Sequence, residues 1–312
     1  MDDCSVEITT AAAAAATAAD MPQHWYHKRL KAFLDPNLNG CKVLNKKGAP
    51  EPDYTATQIL RGLESSLRAK CDGWVGNFLL TDAEKSGLVA LVQFLAFRML
   101  ALTKEQQQEQ HQQRQYQLGP VGEGVHLCLL CLKAIMERQF GFKKVVTMKK
   151  EEPDEGEDEL PSSPALNAIA LSIAHPSVVH RAKSLALDLL ATTCLVDGGT
   201  HHQLVLAAFD HAQRKLGERR RFQSLVHLFT TVAPFDRRLS VACMQFTNIV
   251  VNAPFTPADM NLRVYLQVDF RMLGLDETYL RERLSGGCNS ADLQGHIQTY
   301  LDNIIDVGAL LG

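Results

Sequence analysis

The sequence predicts an all-α fold, a solenoid of stacked helices, and three observations carry that prediction. Segments apolar on one side recur through the last third, at Arg181–Ala191, Val241–Val251, Met260–Leu266 and His296–Leu301. Each is about one helix long and cannot bury its stripe alone, so the segments must stack. Aromatic residues make up 7% of the chain while leucine and alanine dominate, which suits helices better than a sandwich or barrel. Strand-like alternation is nearly absent, and short apolar runs such as Asn248–Asn252 sit in helical surroundings.

The elements follow in order. Residues 1–21 form a low-complexity lead with Ala11 to Ala16 unbroken. Alanines favour a helix but offer nothing to pack, so disorder or a frayed helix is expected there. Pro22 opens a first helix that gathers Trp25, Leu30, Phe33 and Leu34 toward one side, and a polar loop runs from Asp35 to Pro52. Helical pattern returns at Gln58–Leu67, at Trp74–Leu80, and from Gly87 to about Met99. A glutamine-rich insert, 101–120, has no apolar stripe and reads as a solvated helix extension or loop. Val125–Gln139 is a strong helix expected to end near Gly141. The acidic loop at 150–162 contains Glu151, Glu152, Asp154, Glu155, Glu157, Asp158 and Glu159, a block that repels itself and stays unstructured. From Ala165 onward short loops alternate with helices. The expected organisation is a lead (1–21), a small helical segment running into the first repeat (22–100), the insert (101–120) and a helical domain (121–312).

Bulk properties exclude several function classes. The formal net charge of −3 leaves no basic excess to neutralise phosphates, so no nucleic-acid partner is expected. No apolar run approaches the roughly 20 residues of a membrane span. Met1-Asp2-Asp3-Cys4 is acidic rather than basic, unlike a signal peptide, and Asp2 does not meet the glycine rule for N-myristoylation. Eight cysteines in 312 residues are too dilute for a disulfide framework, and Cys128, Cys131, Cys194 and Cys243 lie in apolar helices, where thiols act as small hydrophobes. A reducing, cytoplasmic setting is expected.

Chemistry-bearing motifs are scarce. Cys128 and Cys131 form one C-x-x-C near His126, but no second pair completes a zinc site, and the surrounding leucines demand burial. His201 and His202 are adjacent and so point about 100° apart on a helix, which suits surface or loop histidines better than a shared ligand site. No phosphate-binding glycine loop and no nucleophile elbow occurs, and no nucleophile has a nearby base. Neither enzyme activity, nor a metal, nor a cofactor is expected. Arg214, Lys215, Arg219, Arg220 and Arg221 are the densest basic cluster and read as a solvated corner between helices. Asp188, Thr192 and Leu195 stand at i, i+4 and i+7, a small-plus-apolar strip that suits an incoming helix.

Several ordered segments resemble the amino-terminal regulatory region of diaphanous-related formins, and within them the formin-like branch. They are Leu63-Glu64-Ser65-Ser66-Leu67-Arg68 leading to Gly73-Trp74-Val75, and Cys131-Leu132-Lys133-Ala134-Ile135-Met136 leading to Phe140-Gly141-Phe142. Further on come Leu189-Leu190-Ala191 with Cys194-Leu195-Val196, Val241–Phe246, Met260–Gln267, Leu273-Gly274-Leu275, Gln298–Ile304 and Asp306–Leu311. They keep one order from about residue 22 to 311.

The resemblance implies a small helical GTPase-binding segment followed by an armadillo-like FH3, or inhibitory, domain. Its partners would be a GTP-loaded Rho-family GTPase of the Cdc42, Rac or Rho type and the amphipathic carboxy-terminal autoregulatory tail of a formin. GTPase binding would weaken the tail's grip, which controls actin cytoskeleton organisation from a cytoplasmic position at the cell cortex or cytoskeleton. By motif, the GTPase-facing positions carry over to Ser65, Arg68 and Lys70, and the tail-binding positions to Ala69, Glu137, Phe142, Thr192 and Leu195. Glu137 stands where the family typically has asparagine. For Trp74, ordinary core packing is the preferred interpretation. The proline-rich FH1 and the actin-assembling FH2 regions fall outside these 312 residues, so actin is expected only indirectly and no nucleation by this chain is expected. The alternative from the residues alone is an armadillo-type protein–protein scaffold without GTPase regulation.

Overall fold

The computed structural model describes residues 21–34, 54–80, 86–101, 121–149, 163–232, 236–252, 260–285 and 290–306. The expectations for the low-complexity lead, the glutamine-rich insert and the acidic loop lie outside the described residues, except at Met21 and Ala101. Among the described residues every regular element is helical, and the fold is an all-α, armadillo-like solenoid. The chain divides into two compact units, residues 1–152 with 177–179, and residues 153–176 with 180–312.

The first unit holds α1 (Gln23–Leu34), α2 (Ala56–Ala69), α3 (Asp72–Phe78), α4 (Gly87–Ala101), α5 (Val121–Met136) and α6 (Gln139–Val146). Helix α2 packs along α5, and α1 along α4. Thr55 starts α2 with a reciprocal cap. Its hydroxyl accepts from the Gln58 amide at 3.3 Å, and its own amide donates to Gln58 Oε1 at 2.9 Å. The apolar spacing of α2 then buries Ile59, Leu60, Leu63 and Leu67 completely. Each such side chain contributes about 1.5–3 kcal/mol relative to exposure, so the helix is fixed by one face.

The expected single helix over Val125–Gln139 is two. Helix α5 stops at Met136, and Gly141 lies inside α6 rather than ending the preceding helix. The cause is a close approach: a methyl on Gly141 would overlap the Ile135 carbonyl, so glycine lets α6 fold back onto the end of α5.

The second unit holds α7 (Pro164–Ala174), α8 (His180–Leu195), α9 (His202–Leu216), α10 (Gln223–His227), α11 (Arg237–Asn252), α12 (Met260–Met272), α13 (Glu277–Ser285) and α14 (Ala291–Asp302). Helices α7, α8 and α9 pack together, α11 lies along α8, and α14 lies along α11. This side-by-side repetition of α8, α11 and α14 is the solenoid that the recurring stripes call for. A run of rings forms its core. Phe209 meets Phe222 at 4.9 Å and Phe246 at 5.3 Å, and Phe222 stacks on Phe270 at 4.6 Å.

Candidate functional site

The buried face of α2 dictates which side chains remain outside. Arg61, Ser65, Arg68 and Ala69 fall on the opposite side and are exposed. Arg61 pairs with Glu123 of α5, and Arg68 with Glu64 one turn earlier. Both pairs are at the surface and hold their side chains only loosely, which leaves the cations available to an incoming partner. Lys70 caps the helix, its amide donating to the Ser66 carbonyl at 2.9 Å.

An aromatic cluster props up this end of α2 from behind. The Tyr26 hydroxyl and Ser66 Oγ are 3.0 Å apart, and Tyr26 meets Trp74 edge-on at 6.0 Å. Trp74 in turn stacks on Phe78 at 6.1 Å with an interplanar angle of 6°. Trp74 is therefore a packing residue, as the sequence suggested. Gly87 has no room for a side chain because any Cβ would run into the Phe78 ring.

The corner between α5 and α6 sits directly against the end of α2. Arg138 Nη2 donates to the Lys70 carbonyl at 3.3 Å, and Arg138 Nε to Asp72 Oδ1 at 2.9 Å. Ser65, Arg68, Ala69 and Lys70 thus share one edge of the unit with Glu137. Glu137 is exposed, with Lys133 3.9 Å away on the same helix face. Phe142 differs from the others in being only 7% exposed, so it supports α6 from inside and offers little surface to a partner.

Thr192 and Leu195 belong to the second unit. Along α8 the residues facing outward are His180, Arg181, Asp188, Thr192 and Leu195, with Ala182 to Leu187 and Leu189 to Ala191 all buried. Core packing, the ordinary role of a leucine, does not apply to Leu195, which is 49% exposed. The Thr192 hydroxyl donates to the Asp188 carbonyl at 2.8 Å. Its polar atom is satisfied within the helix, leaving the methyl to face outward beside Leu195. The strip thus presents a carboxylate at Asp188, a methyl at Thr192 and an apolar side chain at Leu195. On the neighbouring α11, Val241, Gln245 and Ile249 form a half-buried line at i, i+4 and i+8.

The remaining motifs hold structure. Cys128 and Cys131 are fully buried, and the Cys131 thiol contacts the Leu60 carbonyl at 3.7 Å. Burial pushes the Cys128 thiol up to about 12 and raises Cys131 as well, so both stay protonated. Among the described residues no group of three or more His, Cys, Asp or Glu is placed to hold a metal ion. His202 is not a surface residue. It is buried, and its Nε2 donates to the Val250 carbonyl at 2.7 Å, while its neighbour His201 points elsewhere. Two members of the basic cluster are likewise structural: Arg220 pairs with the buried Asp269 at 3.0 Å, and Arg221 grips Asp210 with two bonds of 2.6 and 2.9 Å. Arg214, Lys215 and Arg219 remain exposed, as a solvated corner would be.

Arg138 was not legible from sequence. A lone arginine after Met136-Glu137 resembles any helix-surface cation, and only the break at Glu137 turns its side chain toward the end of α2.

Comparison with known proteins places these features in a family context. Residues 202–312 match the Diaphanous FH3 Domain. Over 93% of its length the chain is 34% identical to human formin-like protein 2, and over 94% it is 30% identical to a formin-like protein of Drosophila melanogaster. A more distant relative is the Disheveled-associated activator of morphogenesis 1-A of Xenopus laevis, 26% identical over 72% of the chain. The chain spans 28% of the human protein and 30% of the fly protein, less than a third of either.

Proposed function

The chain belongs to the formins, of which it carries the FH3-containing amino-terminal region, and from that premise we propose that it is a small-GTPase-binding and autoinhibitory module. Its partners are a GTP-loaded Rho-family GTPase and the carboxy-terminal autoregulatory helix of a formin. It acts in the cytoplasm, at the cortex or on the cytoskeleton, and reaches actin only through FH2 regions outside these residues. Among the described residues no helix is long and apolar enough to cross a membrane.

The observation that carries this reading is the outer edge of α2. Ser65, Arg68 and Ala69 stand exposed on a helix whose other face is fixed by four fully buried side chains, and Lys70 follows directly. A rigid helix end with two cations and small neighbours suits a protein partner that recognises it through surface charge. The tail helix finds a complementary surface in the Thr192 methyl and Leu195, both uncovered on α8. Glu137, an exposed carboxylate of the first unit, is a separate contact for a basic stretch of a formin tail.

A pulldown with GTP-loaded and GDP-loaded Cdc42-, Rac- and Rho-type GTPases tests the proposal. Retention of at least one of them only in its GTP form supports it. Retention independent of nucleotide, or none, leaves the plain scaffold in its place.

A further inference from the structure

One guanidinium joins three helix ends at the edge just described, through two backbone carbonyls and one carboxylate. Arg138 Nη1 donates to the Ala134 carbonyl at 2.9 Å in the last turn of α5. Nη2 donates to the Lys70 carbonyl at 3.3 Å at the end of α2, and Nε to Asp72 Oδ1 at 2.9 Å at the start of α3. The arginine side chain is 20% exposed and the Asp72 side chain 76% exposed. The fork is thus inserted into the corner and closed on its outer side by a carboxylate at the surface. Arginine suits this position because its planar, always-charged head sends donors in several fixed directions, which a lysine ammonium cannot reproduce.

The anchors of this clamp are next in sequence to the residues of both proposed contacts. Lys70, whose carbonyl is held, is itself a GTPase-facing position and directly follows Arg68 and Ala69. Glu137, the charge offered to the tail, is the residue immediately before Arg138. A partner that pulls the turn from Lys70 to Asp72 outward lengthens two of the three bonds, and hydrogen bonds weaken steeply with distance and misalignment. The side chain that loses them begins one residue from Glu137, in the two-residue break between helices, where the Glu137 amide still donates to the Lys133 carbonyl and the Arg138 amide to the Ile135 carbonyl.

We infer that Arg138 is the positioning residue that couples the two binding events: it transmits displacement of the Lys70–Asp72 turn by the GTPase to the Glu137 corner on which the tail rests. This rests on the proposed function. It also separates two routes to antagonism. If the partners merely overlapped, the antagonism would not depend on Arg138. If the corner has two arrangements that the partners favour differently, it would.

The test measures, by calorimetric titration, the Kd of a formin tail peptide with and without saturating GTP-loaded GTPase, for the unmutated chain, Arg138→Lys and Asp72→Asn. The ratio of the two Kd values is the coupling factor. It is expected to fall close to 1 in Arg138→Lys and to an intermediate value in Asp72→Asn, with each partner alone still bound within a few-fold of the unmutated affinity. Hydrogen exchange of the amides from Cys71 to Trp74 is expected to speed up in both variants. An undiminished coupling factor in Arg138→Lys overturns the inference and leaves the proposed function standing. Should that variant not fold, Asp72→Asn decides alone, because it changes one exposed carboxylate, and an undiminished factor there overturns the inference equally. Absence of nucleotide-dependent GTPase binding by the unmutated chain overturns the proposed function itself and the inference with it.

Discussion

His202 Nε2 donates to the Val250 carbonyl across 2.7 Å, tying the first residue of α9 to the last turn of α11. Carbonyls in a last helical turn have no partner within their own helix, and a buried one needs a donor from elsewhere. Here the imidazole is that donor, with the proton on Nε2, and one side chain serves two helices of the solenoid.

Replacing His202 by phenylalanine keeps the volume and removes the donor. The expected loss is about 1–3 kcal/mol, the cost of leaving a buried carbonyl unsatisfied. Urea unfolding followed by circular dichroism measures it. An unchanged midpoint would show that the bond contributes nothing.

Gly141→Ala places a methyl against the Ile135 carbonyl where α6 turns back on α5. The backbone cannot rotate away as a flexible side chain would, so a destabilisation of about 1–3 kcal/mol is expected. The same substitution at Gly76, where a Cβ would meet nothing within 4 Å, is the control and should be neutral or slightly stabilising. Equal effects at both glycines would contradict the close approach.

Lys183 is 5% exposed on α8, and burial pushes its amine down to about 8 from an ordinary 10.5. The folded state therefore holds fewer protons than the unfolded state between about pH 8 and 10.5, and stability rises with pH across that window. Below about pH 8 both states are protonated and the burial penalty is fully present. Lys183→Met should stabilise the protein at pH 7 by up to about 3 kcal/mol, an upper bound because the amine keeps some contact with water. The gain should shrink above pH 8 and vanish near pH 10.5. A gain that does not vary with pH would mean packing, not charge, is responsible.

Reversing both Arg68 and Lys70 to glutamate should weaken binding of the GTP-loaded GTPase about tenfold or more and leave thermal unfolding nearly unchanged. Both side chains extend from a helix end whose packing lies on the other face. The new carboxylate at position 68 would repel Glu64 one turn earlier, at a cost of only a few tenths of a kcal/mol. Surface plasmon resonance at two salt concentrations reads the effect, which should be larger at low salt. Unaltered affinity would remove these positions from the contact.

How much was legible beforehand follows from what periodicity can and cannot encode. That Asp188, Thr192 and Leu195 share one side of α8 was readable from their spacing, but that they are exposed was not, since Ser184 one turn earlier on the same side is buried. The helical stack was likewise readable from spacing. The break at Glu137 was not, since the polar run Glu137-Arg138-Gln139 reads equally as the last turn of one helix, and the deciding contact is between Gly141 and the Ile135 backbone. Phe142 shows a second limit: a family motif marks its position, whereas its burial depends on how α6 folds back. His202, Arg220 and Arg221 show a third. Their partners Val250, Asp269 and Asp210 lie 48, 49 and 11 residues away, and no local pattern names them.

The most direct measurement is a calorimetric titration of an amphipathic, basic-ended formin tail peptide into the unmutated chain, Thr192→Val and Thr192→Asp, each with and without GTP-loaded GTPase. Thr192→Val keeps the outward methyl and should bind the peptide like the unmutated chain. Thr192→Asp sets an unpaired charge against an apolar helix and should lose binding while remaining folded. GTP-loaded GTPase should raise the peptide's Kd, and the peptide should raise the GTPase's Kd by the same factor. Peptide binding to folded Thr192→Asp at full strength, or peptide affinity indifferent to GTP-loaded GTPase, would contradict a GTPase-regulated inhibitory surface on this chain.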